Sequence, residues 1–388
     1  IDSGNIHSDK NVFLGAIAGG NQNGVDGNVG IGYKALVFAR GDYSVAVGYE
    51  AGDHATGSYN TFVGAQAGQG GTTSAPYSSG QNNVALGYQA LKGFTTGGDN
   101  IAIGYQAGDA ITTAVANIAI GSLAAGALTT GGDNIVIGYA ALQSANGAED
   151  NNIVIGTGAG QNINNDASDD NVFIGTYAGR GGTGELDRCV AIGYQAMDGT
   201  GTVSGQQNIF IGDNAGGGSW KTAASNSNVA IGATAMSAAL NGALGNTTVG
   251  HDGLKALTSG DNNVAIGRVA GTSVTSGYHN SLLGAYAGDA ITTGYDNTAL
   301  GYAALSAEDT GYRNVAIGNE ALKVLNYDGA GYNVAVGHRA GYALTTGTVN
   351  TFLGAFAGGA TDDGIRNVAI GYAAMDTGNA GNDNIAIG

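Results

Sequence analysis

The stretch "DNIAIGYQAG" at residues 99–108 decides the fold, because altered copies of it run through the whole chain. In each copy an apolar triplet is followed directly by a glycine, which we call the repeat glycine. Successive repeat glycines are most often 17 residues apart. We count 22 copies from Gly15 to Gly388, separated by 16 to 23 residues, and 20 of them begin with Asn. The sequence therefore predicts one continuous repeat array over residues 1–388, with no domain boundary.

The triplet is too short for a helix, and its outer two positions are mostly β-branched, so it predicts a short strand. The glycine and the Asn suit the turns on either side, because both tolerate left-handed backbone conformations. One strand per 17 residues indicates an all-β chain folded as a parallel β-solenoid of about 22 coils. With about 4.8 Å between parallel strands, the whole array would form a rod of about 105 Å.

The two sides of each strand are both apolar, and only one of them can face the inside of the coil. We predict that the Val and Ile of the triplets, such as Ile101 and Ile103, point inward. The opposite row would then face outward and pack against other copies of the chain, most simply as a homotrimer. This predicted oligomer interface contains Phe13, Phe62, Ala102, Ala119, Phe173, Phe210, Ala230 and Phe352. The alternative is a wider coil whose second wall covers this row internally.

Composition excludes several classes of partner. The formal net charge of −17 argues against binding to nucleic acid or to an anionic membrane. No apolar run is long enough for a membrane-spanning helix, so membrane insertion is not expected. Cys189 is the only cysteine and cannot form a disulfide within the chain. We expect a virion appendage or another extracellular or cell-surface location.

Residues with catalytic or ligand-binding chemistry are scattered rather than grouped. No phosphate-binding loop occurs, and none of the five histidines is spaced as a metal ligand. Aspartates precede the repeat Asn in only five coils, which argues against a regular calcium ladder, although an isolated ion near Asp166, Asp169 and Asp170 is an alternative. The sequence therefore predicts a protein that is not an enzyme, with no catalytic residue, no cofactor and no metal site.

Two polar rows have competing interpretations. Tyrosine follows the repeat glycine in eight coils, which indicates either stacking of the rings along the array or a sugar-binding stripe; we favour stacking. Threonine pairs between the strands resemble an ice-binding pattern. The pairs do not occur in every consecutive coil, however, as a regular ice-binding face would require. We therefore favour threonines that line the turns and stack on one another.

Two irregular loops interrupt the period, at residues 69–81 and 216–228. They contain Pro76, Tyr77 and Trp220. Loops that leave a rigid scaffold often carry recognition. These three residues are therefore the candidates for contact with a host cell-surface glycan or receptor.

The segments "NVALGYQALKGFTTGGDNIAIGYQAG" (83–108) and "NIAIGSLAAGALTTGGDNIVIGYAAL" (117–142) resemble the N-T-A-x-G-Y-x-A-L-x-x-x-T-T-G repeats of bacteriophage tail-fibre proteins, which often precede a chaperone domain of the endosialidase type. The core N-V-A-I-G also resembles the head repeats of trimeric autotransporter adhesins, which form interlocked left-handed β-rolls. The resemblance covers nearly all of the chain. Autotransporter repeats are shorter than 17 residues, and no neck, stalk, anchor or chaperone domain is seen here.

The resemblance implies a structural and adhesive role. We expect a rod segment of a phage tail fibre or a similar extracellular appendage, which spaces or presents a receptor-binding tip and is a piece of a longer fibre. The alternatives are a self-assembling extracellular filament subunit and the head of a trimeric autotransporter adhesin.

Overall fold

The computed structural model describes residues 10–21, 24–71 and 77–388. The chain divides into two compact units, Ile1–Cys189 and Val190–Gly388. Each unit is a parallel β-solenoid with a coil of about 17 residues, and the described residues contain no α-helix. The prediction of an all-β parallel β-solenoid with about 22 coils is confirmed.

In the first unit, ten coils each contribute a three-residue strand. These strands are β1 (Val12–Leu14), β2 (Val29–Ile31), β3 (Val45–Val47), β4 (Thr61–Val63), β5 (Val84–Leu86), β6 (Ile101–Ile103), β7 (Ile118–Ile120), β8 (Ile135–Ile137), β9 (Ile153–Ile155) and β10 (Val172–Ile174). A two-residue strand, β11 (Leu186–Asp187), follows them.

The second unit has twelve coils with the same strand. These strands are β12 (Val190–Ile192), β14 (Ile209–Ile211), β15 (Val229–Ile231), β16 (Thr247–Val249), β17 (Val264–Ile266), β18 (Ser281–Leu283), β19 (Thr298–Leu300), β20 (Val315–Ile317), β21 (Val334–Val336), β22 (Thr351–Leu353), β23 (Val368–Ile370) and β24 (Ile385–Ile387). The two-residue strand β13 (Gly205–Gln206) lies between β12 and β14.

Neighbouring strands within a unit pair in parallel and without a register shift. In the first unit Ile101 lies opposite Ile118 and Ala102 opposite Ala119. The second unit repeats this arrangement, with Ala299 of β19 opposite Ala316 of β20. Each position of the repeat therefore stacks on the same position of the next coil, and any feature of the repeat becomes a row along the unit.

The repeat glycine is required by the close approach of adjacent coils. Gly104 has a φ of +135°, which disfavours any residue with a side chain. A Cβ on Gly104 would also lie 2.6 Å from the carbonyl oxygen of Gly121 in the next coil. Both causes recur along each unit, for example at Gly32 and Gly267, so glycine is the residue that fits this row between stacked coils.

The repeat Asn forms a buried hydrogen-bonded row. The side-chain amide of Asn100 donates to the carbonyl of Ala114 (2.9 Å) and to Oδ1 of Asn83 (3.2 Å). In return, Oδ1 of Asn100 accepts the backbone N–H of Asn117 (3.0 Å). Each Asn thus joins three consecutive coils and satisfies polar groups of the turn away from water.

The prediction of which strand side faces inward is wrong. Ala102, at the middle of its strand, is fully buried, whereas Ile101 and Ile103 remain partly exposed. The same pattern, with a buried middle residue between two more exposed ones, holds in strand after strand. The inward-facing Asn precedes the middle residue by two positions, so period-two alternation places the middle residue on the same inner side.

A second wall of the coil covers this inner side. In the coil of β6, Ala107 and the nearby Ile111 are buried beside Ala102. The chain reaches this position through left-handed residues in the turn, such as Gln106 (φ +49°). The alternative of a wider coil, in which a second wall covers the Ala/Phe row internally, is therefore the arrangement that the structure adopts.

Candidate functional site

The largest candidate surface is the outer side of the strands. We call it the strand face: the side chains at the first and third position of each three-residue strand. Leu283, Leu300 and Leu353 of the second unit are 44%, 43% and 47% exposed. In the first unit, Leu86 and Val12 are exposed in the same way. The third position is Val, Ile or Leu in every three-residue strand, whereas the first position is Thr or Ser in five of them. Such an unbroken apolar series at the third position is unusual for a surface that faces water.

The residues predicted as an oligomer interface lie instead inside their own coils. Seven of the eight are at most 1% exposed, and Phe13, in the first described strand, is half-buried. They are covered by their own chain and have no surface to offer to a partner. The buried members are Phe62, Ala102, Ala119, Phe173, Phe210, Ala230 and Phe352.

The phenylalanines of this row fit because the second wall leaves room for them. The residue four positions after the repeat glycine is Leu91 in the coil of Ala85, but it is Gly216 in the coil of Phe210. A Cβ on Gly216 would lie 2.7 Å from the ring of Phe210. All five Phe-containing coils carry glycine at this place, namely Gly19, Gly68, Gly179, Gly216 and Gly358. The ring therefore fills a volume that a larger residue, such as Leu91, occupies in several other coils, although some coils with a smaller middle residue also carry glycine here, as Gly108 shows.

The tyrosines that follow the repeat glycine border the strand face. Tyr33 stacks on Tyr49 with the ring centroids 5.4 Å apart, and Tyr88 stacks on Tyr105 at 5.6 Å. Stacking of the rings along the array is thus confirmed for these two pairs. A sugar that binds by stacking needs a free ring face, and here one face of each ring is taken by its neighbour.

A second aromatic row was missed by the sequence analysis. Tyr278, Tyr295 and Tyr312 stack with centroids 4.7 and 4.3 Å apart, and the guanidinium of Arg313 lies over the last ring at 5.4 Å. The signal was present in the sequence as the segments "SGYHN", "TGYDN" and "TGYRN", in which the tyrosines are 17 residues apart. The stack positions these side chains against one another rather than around a ligand.

Of the predicted recognition residues, Pro76 lies outside the described residues. Tyr77 is half-buried and stacks on Phe38 with the ring centroids 4.4 Å apart. Trp220 is only 6% exposed, and its indole N–H donates to the carbonyl of Gly216 (3.1 Å). Its ring meets the edge of Phe210 at 6.1 Å. Trp220 therefore completes the core of its coil and does not present a binding surface.

The acidic segment near Asp169 is used for hydrogen bonds between coils. Oδ1 of Asp169 accepts the backbone N–H of Asp150 (2.8 Å), and burial raises the pKa of this carboxyl. Asp26 and Leu244 donate in the same way to the carboxylates of Asp42 and Asp261 one coil further on. Within residues 10–21, 24–71 and 77–388, no group of three or more His, Cys, Asp or Glu side chains is placed to hold a metal ion.

The threonine pairs also bond within the array. The hydroxyl of Thr95 donates to the carbonyl of Thr112 (3.0 Å), and that of Thr112 donates to the carbonyl of Thr129 (3.0 Å). This is the turn-lining arrangement that we favoured for these residues; the first pair, at 72–73, lies outside the described residues. Each bonded threonine therefore links its turn to the next coil.

One cluster, formed by Asp53, His54 and Phe38, contains a buried carboxyl. Asp53 is almost fully buried, its Oδ2 lies 3.9 Å from Nδ1 of His54, and its Oδ1 has no hydrogen-bond partner. Burial raises the pKa of Asp53, and the nearby His54 acts in the opposite direction. His54 itself stacks on Phe38. The cluster contributes local packing and one poorly solvated carboxyl.

In the part of the chain that the structure describes, no helix has the length and apolar character needed to cross a membrane. Cys189 is buried, where it takes the place of a repeat Asn and donates its backbone N–H to Oδ1 of Asn171 (2.9 Å).

No protein-family model matches the chain, and no curated protein matches it either. The strand face is the most extensive candidate surface of the described residues.

Proposed function

We propose that the chain is a structural rod segment of an adhesive fibre, such as a phage tail fibre or a similar extracellular appendage, and that it spaces or presents a receptor-binding tip. In-register pairing gives each unit stiffness along the direction in which the coils stack. With about 4.8 Å between coils, the twelve coils of the second unit extend over roughly 55 Å. Repetition adds length without a new core design, which suits a spacer.

The fibre assembles through the strand face, and we propose a homotrimer. Each unit presents a strip about 10 Å wide and roughly 50 Å long, or on the order of 500 Å². Two such strips supply about 1,000 Å², compared with about 800 Å² for each partner in an interface of standard size. A cyclic arrangement brings equivalent apolar rows of the copies to the same height around one axis.

The observation that carries this proposal is the unbroken row of Val, Ile and Leu at the third, outward-facing position of the strands. The strand face is covered by no other part of its own coil, whereas the predicted Ala/Phe interface is. Burial of apolar area contributes about 25 cal/mol per Å², so covering this face with identical copies is strongly favourable. Tyr105, Tyr302 and the other exposed tyrosines that follow a repeat glycine border the face, where amphipathic rings suit an interface rim.

The test is a pair of charged substitutions in the strand face. Ile266→Glu with Leu283→Glu places two carboxylates on adjacent strands, β17 and β18. Unpaired charges in an interface carry a large desolvation cost, so we expect the assembly to dissociate to single chains in light scattering. Both side chains are exposed within the chain itself, so the fold should survive, with an unchanged circular dichroism spectrum.

Thr293→Glu is the matched control, because Thr293 is also exposed in the second unit but lies on a turn outside the strand face. It should leave the mass of the assembly unchanged. A wild-type chain that is monomeric at all concentrations would refute assembly through this face. So would a double variant that keeps the wild-type mass.

A further inference from the structure

A carboxyl group interrupts one apolar core row of the second unit. Glu308 lies seven residues after the repeat glycine Gly301. At the same place five other coils of the unit carry apolar residues that are fully buried: Leu257, Val274, Ile291, Leu325 and Leu344. Glu308 is 0% exposed as well. An ionisable group therefore takes the position of a core side chain between Ile291 and Leu325.

The two oxygens of this carboxyl are in different situations. Oε1 accepts the backbone N–H of Gly311 (2.8 Å) and that of Asp309 (3.2 Å). Oε2 is buried and has no hydrogen-bond partner. A protonated carboxyl tolerates this environment, but a carboxylate would carry charge on an enclosed oxygen that accepts no well-formed hydrogen bond.

The charged groups around Glu308 do not neutralise it. Asp328 of the next coil raises the pKa of Glu308 further, while the Asp309 carboxylate accepts a hydrogen bond from the Thr292 hydroxyl of the preceding coil. Lys323, the one Lys or Arg in the following coil (residues 319–337), is bound to Glu320 at 2.5 Å. Asp289 of the preceding coil is hydrogen-bonded to Ser306.

Burial is the main cause of a raised pKa at this position. It brings the pKa of Glu308 from 4.5 to about 7, against the opposing effect of the backbone N–H groups of Gly311, Tyr327 and Asp309. The group therefore changes charge close to neutral pH while it is still enclosed. To hydrate the charge, the turn that encloses it has to open.

We propose that the turn over residues 305–312 is a pH-responsive joint of the second unit, closed while Glu308 carries its proton and opened to water when that proton leaves for solvent. The joint is a property of the coil itself and stands independently of the proposed fibre role. For a fibre, it would provide one softer place in an otherwise uniform stack of coils.

The direction of the effect follows from linkage between protonation and opening. The closed-state pKa is raised above that of the open turn, so the stabilisation is complete below about pH 4.5. It falls as the pH rises from about 4.5 to about 7 and is constant above that range. With these two pKa values, the opening equilibrium increases roughly 70-fold between pH 5 and pH 8.

Hydrogen exchange of single amides tests the proposal on the whole chain. The amide of Gly311 reports on the joint, since it donates to Glu308. The amide of Gly277, which donates to the carbonyl of Thr292, holds the same place in a coil with Val274 in the core row and corrects for the intrinsic pH dependence of exchange. We expect the Gly311/Gly277 ratio of opening constants to rise roughly 70-fold from pH 5 to pH 8.

Two variants identify the group responsible. Glu308→Gln keeps the shape and the acceptor but cannot ionise, and Glu308→Leu restores the apolar row; in both the ratio should stay flat. A flat ratio in the wild-type chain would overturn the proposal. So would an equal rise in Glu308→Gln, because another group would then be titrating. If a variant fails to fold, the wild-type pH series still decides between the outcomes.

Discussion

At the scale of single residues, the space between the strand and the second wall limits which side chains fit inside a coil. Thr248 replaces the usual Ala at the middle of β16, and its hydroxyl is buried without a partner. In the same coil Gly253 replaces the Ala that otherwise follows three residues after the repeat glycine, the single exception among 21 coils. A Cβ on Gly253 would collide with Oγ1 of Thr248. The two unusual residues therefore compensate each other, in the way that glycine accommodates each phenylalanine.

This pair makes a double-mutant cycle the natural test. Gly253→Ala alone overpacks the coil, and we expect a loss of roughly 1–3 kcal/mol in the free energy of unfolding. Thr248→Ala alone removes a buried hydroxyl without a partner and should be close to neutral. The double variant restores the Ala/Ala combination of the neighbouring coil and should be close to wild type, with a coupling energy of at least about 1 kcal/mol. Additive effects in urea unfolding would contradict the packing argument.

At the scale of one element, the Asn row connects the turns to the strands. Asn280 donates to the carbonyl of Gly294 (2.8 Å) and to Oδ1 of Asn263 (3.0 Å), and it accepts the N–H of Asn297 (3.1 Å). All of these groups are enclosed, so none can replace the lost bond with water. The row thus holds each turn at the height of its coil. Ser44 takes the place of Asn in one coil and keeps part of its role, since its hydroxyl still accepts the N–H of Asn60 (3.2 Å).

Asn280→Leu keeps the size of the side chain and removes its hydrogen bonds. At about 1–3 kcal/mol for each buried group left unpaired, we expect a total loss of more than roughly 3 kcal/mol in the free energy of unfolding. Asn280→Ser should lose less, because it retains an acceptor. Asn319→Leu, at an exposed place after a repeat glycine, serves as the control and should be nearly neutral in the same denaturation experiment. Equal losses at 280 and 319 would show that the row is not what holds the turns.

At the scale of the whole molecule, each unit behaves as a stack in which a coil contacts only the coils next to it. Removal of whole coils should therefore shorten a unit without unfolding it, because the new neighbours present the same rows. Residues 268–301 form two such coils, from after Gly267 to Gly301. Their deletion joins strands that have the same register. A protein whose activity resided in one coil would not tolerate this change, whereas a spacer would.

Spin labels measure the shortening within the second unit. Ala224→Cys and Thr346→Cys, in a Cys189→Ser background, place labels at equivalent exposed turn positions seven coils apart. Their separation of roughly 34 Å should fall to about 24 Å after deletion of residues 268–301. Labels at the same sites in the undeleted chain are the control. An unchanged distance, or loss of the β-sheet spectrum, would argue against an interchangeable stack.

Much of this architecture could be predicted from the chain alone. The 17-residue period predicted the coils, and the apolar triplet before each repeat glycine predicted the strands; both follow from local spacing. The recognition loop at 216–228 could not be judged in this way. Whether Trp220 projects from a coil or fills it depends on the space beside Phe210, which no local pattern reports. The titrating Glu308 is also invisible locally, because its burial is created by the coils on either side.

The sequence by itself determined that the chain makes coils, where each strand lies and which residues stack. Only the tertiary structure decided which side of the strand faces inward. A three-residue strand with Ile101 and Ile103 on one side and Ala102 on the other is apolar on both sides, so alternation alone cannot choose. The choice is made by the repeat Asn, whose side chain lies inside the coil because it bonds there to the turn and to the Asn of the neighbouring coil, as Asn100 does. Alternation then places the middle residue inside as well, whether it is Ala102, Val136 or Leu282, and leaves the first and third side chains of the strand outside.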